Sequence, residues 1–226
     1  MHHALIDADI LIYRIGYATN EESESTAITT MAGFLEDLIL LDLPTVQTWE
    51  LFLTGKGNFR NEVAVTAPYK GNRKSEKPTH YHLLRDYLVL SWGAHVVEGM
   101  EADDMLAIRA TELGDDSVIV TLDKDLNQVV GWHDNFVKKE TTYITESQGL
   151  LHFYTQFLTG DSVDNIIGVK GIGPKKALKL LDEKSEHEMW DIVVEHLGYD
   201  RAVENGHLLY MLRTLDDRFT PVAEYV

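Results

Sequence analysis

Cysteine is absent from the 226 residues, which excludes disulfides and thiolate metal ligation. Proline is sparse, five in all, and no apolar run approaches the ~18–20 residues that cross a bilayer. The opening Met1-His-His-Ala-Leu-Ile-Asp7 lacks the form of a secretion leader. Positive charge is scarce as well: 20 Lys and Arg face 37 Asp and Glu, a formal net charge of −17. As a sum, that balance argues against nucleic-acid binding, because Lys and Arg neutralising phosphates supply most non-specific affinity. These absences predict a soluble protein without membrane association, in a reducing cytoplasm.

What is present qualifies the sum. At 44% hydrophobic the chain can bury one substantial core. The few cations are gathered: residues 56–85 hold Lys56, Arg60, Lys70, Arg73, Lys74, Lys77 and Arg85 against Glu62 and Glu76, a local +5 that leaves −22 on the rest. A basic island in an acidic chain is a localised anion site or a solvated loop.

Short apolar runs alternate with helical periods. Ala4-Leu-Ile-Asp7, Val46–Leu53, Ala94–Val97 and Ser117–Thr121 read as strands; Ile10–Ala18, Ala27–Leu41, Tyr81–Trp92 and Glu101–Leu113 read as helices. Alternation of this kind predicts an α/β fold with a mostly parallel central sheet and flanking helices. From Ser147 onward the pattern is helical. The expected organisation is an α/β core over 1–145, a basic segment at about 54–80 within it, and a helical portion over 146–226. The segment Thr54–Pro78 shows no apolar period, and at that length such a segment is functional or disordered.

Ligands of open α/β sheets bind beyond the carboxyl ends of the strands. Asp7 and Asp9 follow the first strand, Glu101, Asp103 and Asp104 the third, and Asp123 and Asp125 the fourth; Asp161 and Asp164 precede a glycine-rich stretch. Each group alone is explained by helix capping, the helix dipole or a solvated turn. Together they are carboxylates converging on one edge, which repel unless a cation neutralises them. An all-oxygen set suits hard cations, Mg²⁺ or Mn²⁺, and paired ions of that kind serve phosphodiester hydrolysis.

The stretch Gly168-Val-Lys170-Gly171-Ile-Gly173-Pro-Lys175-Lys176 is not a mononucleotide loop, because Pro174 stands where G-x-x-x-x-G-K-[ST] requires Lys. It reads as helix (Val163–Ile167), tight turn, helix (Pro174–Leu181), whose exposed N–H groups and lysines suit a phosphate backbone contacted without base reading. Tyr69-Lys70-Gly-Asn-Arg73-Lys74 adds cations, and Tyr69 offers a ring on which a base could stack.

In this order the motifs Leu5-Ile-Asp7, Tyr69-Lys70-Gly-Asn-Arg73-Lys74, Glu101-Ala-Asp103-Asp104, Asp123-Lys-Asp125 and Gly160-Asp161-Ser-Val-Asp164-Asn with Gly168–Gly173 resemble the 5′-nuclease superfamily of flap endonucleases and 5′→3′ exonucleases, most nearly small phage exonucleases of the T7 gene 6 type. The resemblance implies a two-metal site with Asp7, Glu101, Asp103 and Asp104 around the first ion and Asp123, Asp125, Asp161 and Asp164 around the second. It implies that Lys70 and Arg73, at the foot of a helical arch, engage the scissile phosphate. A helix–three-turn–helix spanning Asp161–Leu181 would grip duplex DNA through Gly168, Lys170, Gly171, Gly173, Lys175 and Lys176, with a K⁺ ion on turn carbonyls. Expected partners are DNA with a 5′ end, flap or nick, RNA–DNA hybrids during primer removal, and replication proteins; the expected form is a monomer, in the host cytoplasm if phage-encoded. One departure stands out. Family members usually carry Asp after the second strand, whereas this chain reads Leu51-Phe-Leu-Thr54-Gly55. A site weakened there would leave a non-enzymatic binder of branched or single-stranded DNA as the alternative.

Overall fold

The computed structural model describes residues 1–222. Its centre is a six-stranded sheet in the order β3-β2-β1-β4-β5-β6, built from β1 (His3–Asp7), β2 (Thr48–Thr54), β3 (His95–Val97), β4 (Ser117–Val120), β5 (Gly131–Asn135) and β6 (Glu140–Ile144). All neighbours pair in parallel except β5 and β6, which form an antiparallel hairpin at one edge. Ala4, Leu5 and Ile6 of β1 are wholly buried, as an unbroken apolar run in a strand covered on both faces requires. Burying each Leu or Ile side chain of this kind stabilises the fold by roughly 1.5–3 kcal/mol.

One face of the sheet packs on α1 (Ala8–Ala18), α2 (Glu24–Asp37) and α4 (Tyr81–Trp92), the other on α5 (Ala102–Leu113). Local chemistry sets the helix ends. Asp7 caps α1 by accepting from the Ile10 N–H at 3.2 Å. Ser23 caps α2, which ends in a π turn (Leu38–Asp42) ahead of Pro44. Left-handed Gly93 closes α4.

The helical portion contains α6 (Glu146–Thr159), α7 (Pro174–Leu181), α8 (Glu186–Leu197) and α9 (Tyr199–Leu209) around a cluster that includes Tyr154, Phe157 and Trp190. Capping boxes Thr145/Gln148 and Ser185/Glu188 start α6 and α8.

Two expectations fail here. Val163–Ile167 is not a helix: β7 (Gly160–Asp161) and β8 (Ile166–Ile167) form a short antiparallel ribbon, and left-handed Asn165 (φ 61°) breaks any helical course. The ribbon explains two of the glycines. A Cβ on Gly160 or on Gly168 would come within 2.3 Å of the other's backbone nitrogen, so neither position has room for a side chain. The helix preceding the turn is therefore α6. The basic segment, in turn, raises no helical arch. It carries a single short helix, α3 (Arg60–Val63), and folds down onto the ribbon. The Lys70 N–H donates to Asp164 O at 2.9 Å, Asn72 Nδ2 to Ser162 O at 2.6 Å, and Asn165 Nδ2 to Pro68 O at 2.9 Å.

Candidate active site

The carboxyl ends of β1 and β4 lie side by side, and β1 is where the chain order of the sheet reverses direction. A crevice opens at such a point in any parallel sheet. Here it is a cleft of about 370 Å³ lined by five carboxylates, Asp7, Asp9, Glu101, Asp103 and Asp123, with Lys70, Arg73 and Lys77 on its rim side and the rings of Tyr13 and Tyr81 beside them. Asp7 comes from the end of β1, Glu101 and Asp103 from the start of α5, and Asp123 from the loop after β4.

The electrostatics of the group are those of unneutralised like charges. Burial, then the charge of Asp9, raises the Asp7 carboxyl to about 7. Burial, followed by the charges of Asp7, Asp123 and Glu101, lifts Asp103 well above its ordinary range. Asp9 and Asp123 are raised as well, chiefly by burial.

A second group adjoins the first. Asp125 Oδ1 accepts from Lys124 Nζ at 3.0 Å and from Gln156 Nε2 at 2.7 Å; burial and the Asp123 charge raise its carboxyl to about 6. Lys124 Nζ also reaches Asp161 Oδ2 at 2.6 Å. Burial alone would push the Asp161 carboxyl up, but Lys124 and the N–H groups of Asp164 and Val163 outweigh it and hold it below its ordinary value. Asp164 receives Arg73 Nη2 at 2.8 Å and lies 3.6 Å from Lys70 Nζ, which also pairs with Glu101. Lys70 thus bridges the two carboxylate groups.

Two residues expected at the site do different work. Asp104 is fully buried and turned away from the cleft: both its oxygens receive Arg60, and Oδ2 also accepts the Glu101 N–H at 3.2 Å in a capping box. It positions Glu101 and offers no free oxygen to an ion. Tyr69 is buried too, so its ring cannot receive a base. Its hydroxyl oxygen lies 2.9 Å from Glu101 Oε2 and 2.8 Å from Asp164 Oδ2, so its one proton is shared between an acid of each group. Burial and those two acids keep the phenol protonated by raising its pKa.

Four side chains are given no role at the site by the sequence motifs: Arg60, which anchors Asp104; Lys124, which neutralises Asp125 and Asp161; and Tyr13 and Tyr81, the rings at the cleft. Lys124, between Asp123 and Asp125, and Arg60, within the basic island, had a local signal; the two tyrosines had none. Lys74, Lys170, Gly171, Gly173, Lys175 and Lys176 are exposed, Gly168 is half-buried, and Ile172 anchors the turn from beneath.

Among the described residues, no three His, Asp or Glu side chains are drawn together closely enough to hold a metal ion. The donor set nonetheless fits one chemically. It is all oxygen, its cleft members are like-charged groups, and two lysine ammoniums already serve as cationic partners, Lys70 between its halves and Lys124 within the second.

Residues 2–155 match the family model described as "5′-3′ exonuclease, N-terminal resolvase-like domain". A 5′-3′ exonuclease of Buchnera aphidicola is 27% identical over 202 residues, covering 80% of this chain and 70% of that protein. The DNA polymerase I of Rhizobium leguminosarum is 41% identical over 210 residues, covering 80% of this chain but 20% of the polymerase, so the chain spans about a fifth of that relative's length. Among solved structures, the phage T5 5′-exonuclease with bound divalent zinc ions has a TM-score of 0.70 at 18% identity, over 92% of this chain and 89% of that one. The catalytic core of Rad2 in complex with DNA substrate has a TM-score of 0.55 at 19% identity, over 80% and 60%. At those identities the likeness speaks for the fold, a 5′-nuclease α/β core. With its N-terminal two thirds matched by the family model, the chain belongs to the 5′-3′ exonuclease family.

Proposed function

We propose that this chain is a divalent-metal-dependent, structure-specific 5′ nuclease acting on DNA, as 5′→3′ exonuclease and flap endonuclease. The observation that carries the reading is the cleft itself: five carboxylates at the switch point of a parallel sheet, with Lys70 and Arg73 facing them. Carboxylates alone would repel a phosphodiester. A pair of Mg²⁺ or Mn²⁺ ions reverses that, acidifying the attacking water and stabilising the leaving oxygen. Asp7, Glu101 and Asp103 would hold the first ion and Asp123, Asp125, Asp161 and Asp164 the second.

Lys70 pairs with Glu101, and Arg73 with Asp164. With cations held by those acids, both side chains would be free to face the scissile phosphate and to stabilise the charge that develops in the transition state. Tyr69 keeps Glu101 and Asp164 in register. The exposed Lys170, Gly171 and Gly173 of the turn and the first turn of α7, with Lys175 and Lys176, would contact the duplex backbone, and a K⁺ ion on turn carbonyls belongs to the same proposal. Nicked and flapped DNA, and RNA–DNA hybrids as primer-removal substrates, belong to the same proposal, as does a division into a core over 1–145 and a helical portion over 146–226, whose last four residues lie outside the described ones.

A 5′-labelled flap substrate, incubated with and without Mg²⁺, tests the reading. Metal-dependent release of the flap is expected. Retention of the labelled strand intact on a protein that still binds it would instead assign the chain as a DNA binder.

A further inference from the structure

The four parallel strands β1 to β4 end at the cleft, yet they do not contribute alike. Acids follow β1, β3 and β4, as Asp7, Glu101 with Asp103, and Asp123. β2, which lies between β1 and β3, ends in Thr54-Gly55 and contributes no acid. It cannot readily do so. A Cβ on Gly55 would sit 2.6 Å from the Val97 carbonyl oxygen and 2.7 Å from the Glu98 carboxylate. The Gly55 N–H is itself bonded to that Val97 oxygen at 2.7 Å, so the backbone cannot move aside without breaking the bond.

A carboxylate nevertheless stands at the end of β2. Asp9, in the first turn of α1, reaches across from β1 so that Oδ2 accepts the Thr54 N–H at 2.8 Å. Its other oxygen, Oδ1, lies 3.8 Å from Arg85 Nη1, a separation for an ion pair and too long for a hydrogen bond. Arg85 directs Nη2 to Thr54 O at 2.9 Å. Asp9 therefore has one oxygen fixed by β2 and the other at ion-pair range of Arg85 with no hydrogen bond, in a side chain that lines the cleft with Asp7, Glu101 and Asp103.

We infer that Asp9 supplies, from the first helix, the carboxylate that β2 cannot carry, and that it is an oxygen donor to the ion held by Asp7, Glu101 and Asp103. The inference rests on the metal-dependent reading above. The competing role is a pin: an acid at a helix N-terminus, favoured by the dipole, that ties α1 to β2. Substitution by Asn separates the two, because the amide oxygen still accepts the Thr54 N–H while the charge and the ligand oxygen's basicity are lost.

The test is titration of the intact chain with Mn²⁺, followed by electron paramagnetic resonance, together with melting temperatures in EDTA and in Mn²⁺, for the wild type and for Asp9→Asn and Asp9→Glu. The wild type should bind Mn²⁺ and melt higher in its presence. Asp9→Asn should bind at least one Mn²⁺ ten-fold or more weakly, lose much of the Mn²⁺-induced rise, and melt in EDTA no lower than the wild type, since a repelled charge has been removed. Asp9→Glu should recover binding towards wild type, and it serves as the reporter should Asp9→Asn not fold. Unchanged Mn²⁺ affinity in Asp9→Asn overturns the inference, as does equal loss in the Asn and Glu variants. Failure of the wild type to bind Mn²⁺ at all overturns the metal-dependent reading, and this inference with it.

Discussion

Arg60 and Asp104 face each other fork to fork at 2.6 and 2.8 Å, with Arg60 1% exposed and Asp104 not exposed at all. Arg60 also donates through Nε to Leu208 O at 2.9 Å and through Nη2 to Tyr210 O at 2.8 Å. One buried guanidinium thus joins the basic segment, the start of α5 and the exit of α9. Burial by itself would lower its pKa, but the bonds to Asp104 more than reverse that and raise it. Because Asp104 also caps the Glu101 N–H, the pair sets the height of Glu101 over the cleft. Removing one member strands the other as a buried charge, at a cost of about 3–5 kcal/mol. Asp104→Asn and Arg60→Met should each lose that much in urea unfolding, whereas Asp103→Asn, one residue away but in the cleft, should not destabilise the metal-free protein. A destabilisation of similar size in all three would show that Asp103 is structural as well.

Charge repulsion in the cleft gives the metal-free protein a distinctive pH dependence. Burial and the neighbouring acids raise Asp7 to about 7 and Asp125 to about 6, and Asp9, Asp103, Asp123 and Asp134 are raised too. In the unfolded chain they return to 3.8. Between about pH 4 and 7 the native state therefore holds protons that the unfolded chain has released, and stability falls as pH rises through that window. His133 and His152 work in the opposite sense, since burial lowers both, His152 to about 4, so their contribution is lost on acidification. Six raised carboxylates oppose two histidines, while the carboxylates held below their ordinary range, Glu50, Asp116, Asp161, Glu188 and Glu204, are ionised in both states above about pH 5.5 and drop out of the comparison. In EDTA the urea midpoint should be higher at pH 5.5 than at pH 8, and Mg²⁺ should close the gap by stabilising the protein at pH 8. A midpoint that rises from pH 5.5 to 8 in EDTA would mean that the acids are already neutralised by protein groups.

Much of this site is legible in the sequence, for a physical reason. Ala4-Leu5-Ile6 and Ser117–Val120 are short apolar runs whose burial is forced, and acids placed immediately after them must emerge at the strand ends. Side-chain direction is less accessible. Asp103 and Asp104 are adjacent on α5, about 100° apart around its axis; which one faces the cleft is decided by Arg60, 44 residues away, and by carbonyls at the end of α9. Tyr69 is buried by the ribbon at 160–168, again a distant partner. β5 has no apolar run to announce it, since Gly131-Trp-His-Asp-Asn135 buries His133 and Asp134 instead. Val163-Asp-Asn-Ile-Ile167 is rich in β-branched residues, which favour strand, and it becomes ribbon where Gly160 and Gly168 meet backbone to backbone.

Lys70 separates binding from chemistry. Its ammonium bridges Glu101 and Asp164 from the rim of the cleft, so it lies beside the expected position of the scissile phosphate. Lys70→Ala should slow single-turnover cleavage by about 10²–10³-fold, the usual effect of removing one transition-state donor, with flap affinity changed less than about threefold. Asp123→Asn should abolish cleavage with similarly small effects on binding. If Lys70→Ala weakens binding and leaves the single-turnover rate intact, the lysine is a ground-state contact only.

The proposed duplex grip would have its own signature, because it would depend on counterion release. Lys175 and Lys176 are exposed in the first turn of α7, and Lys170 is exposed on the turn before it, in a chain whose net charge is −17. Removing one ammonium that neutralises a phosphate should flatten the plot of log affinity against log salt by about 0.9. Lys175→Ala/Lys176→Ala, in an Asp123→Asn background to prevent cleavage, should weaken flap binding at 50 mM salt much more than at 200 mM. Its slope should drop by about 1–2, equally for flaps of unrelated sequence, because backbone contacts carry no base information. Fluorescence anisotropy across a salt series measures both quantities. A slope equal to that of the single Asp123→Asn variant would remove these lysines from the interface, and weakening confined to one sequence would make them base readers.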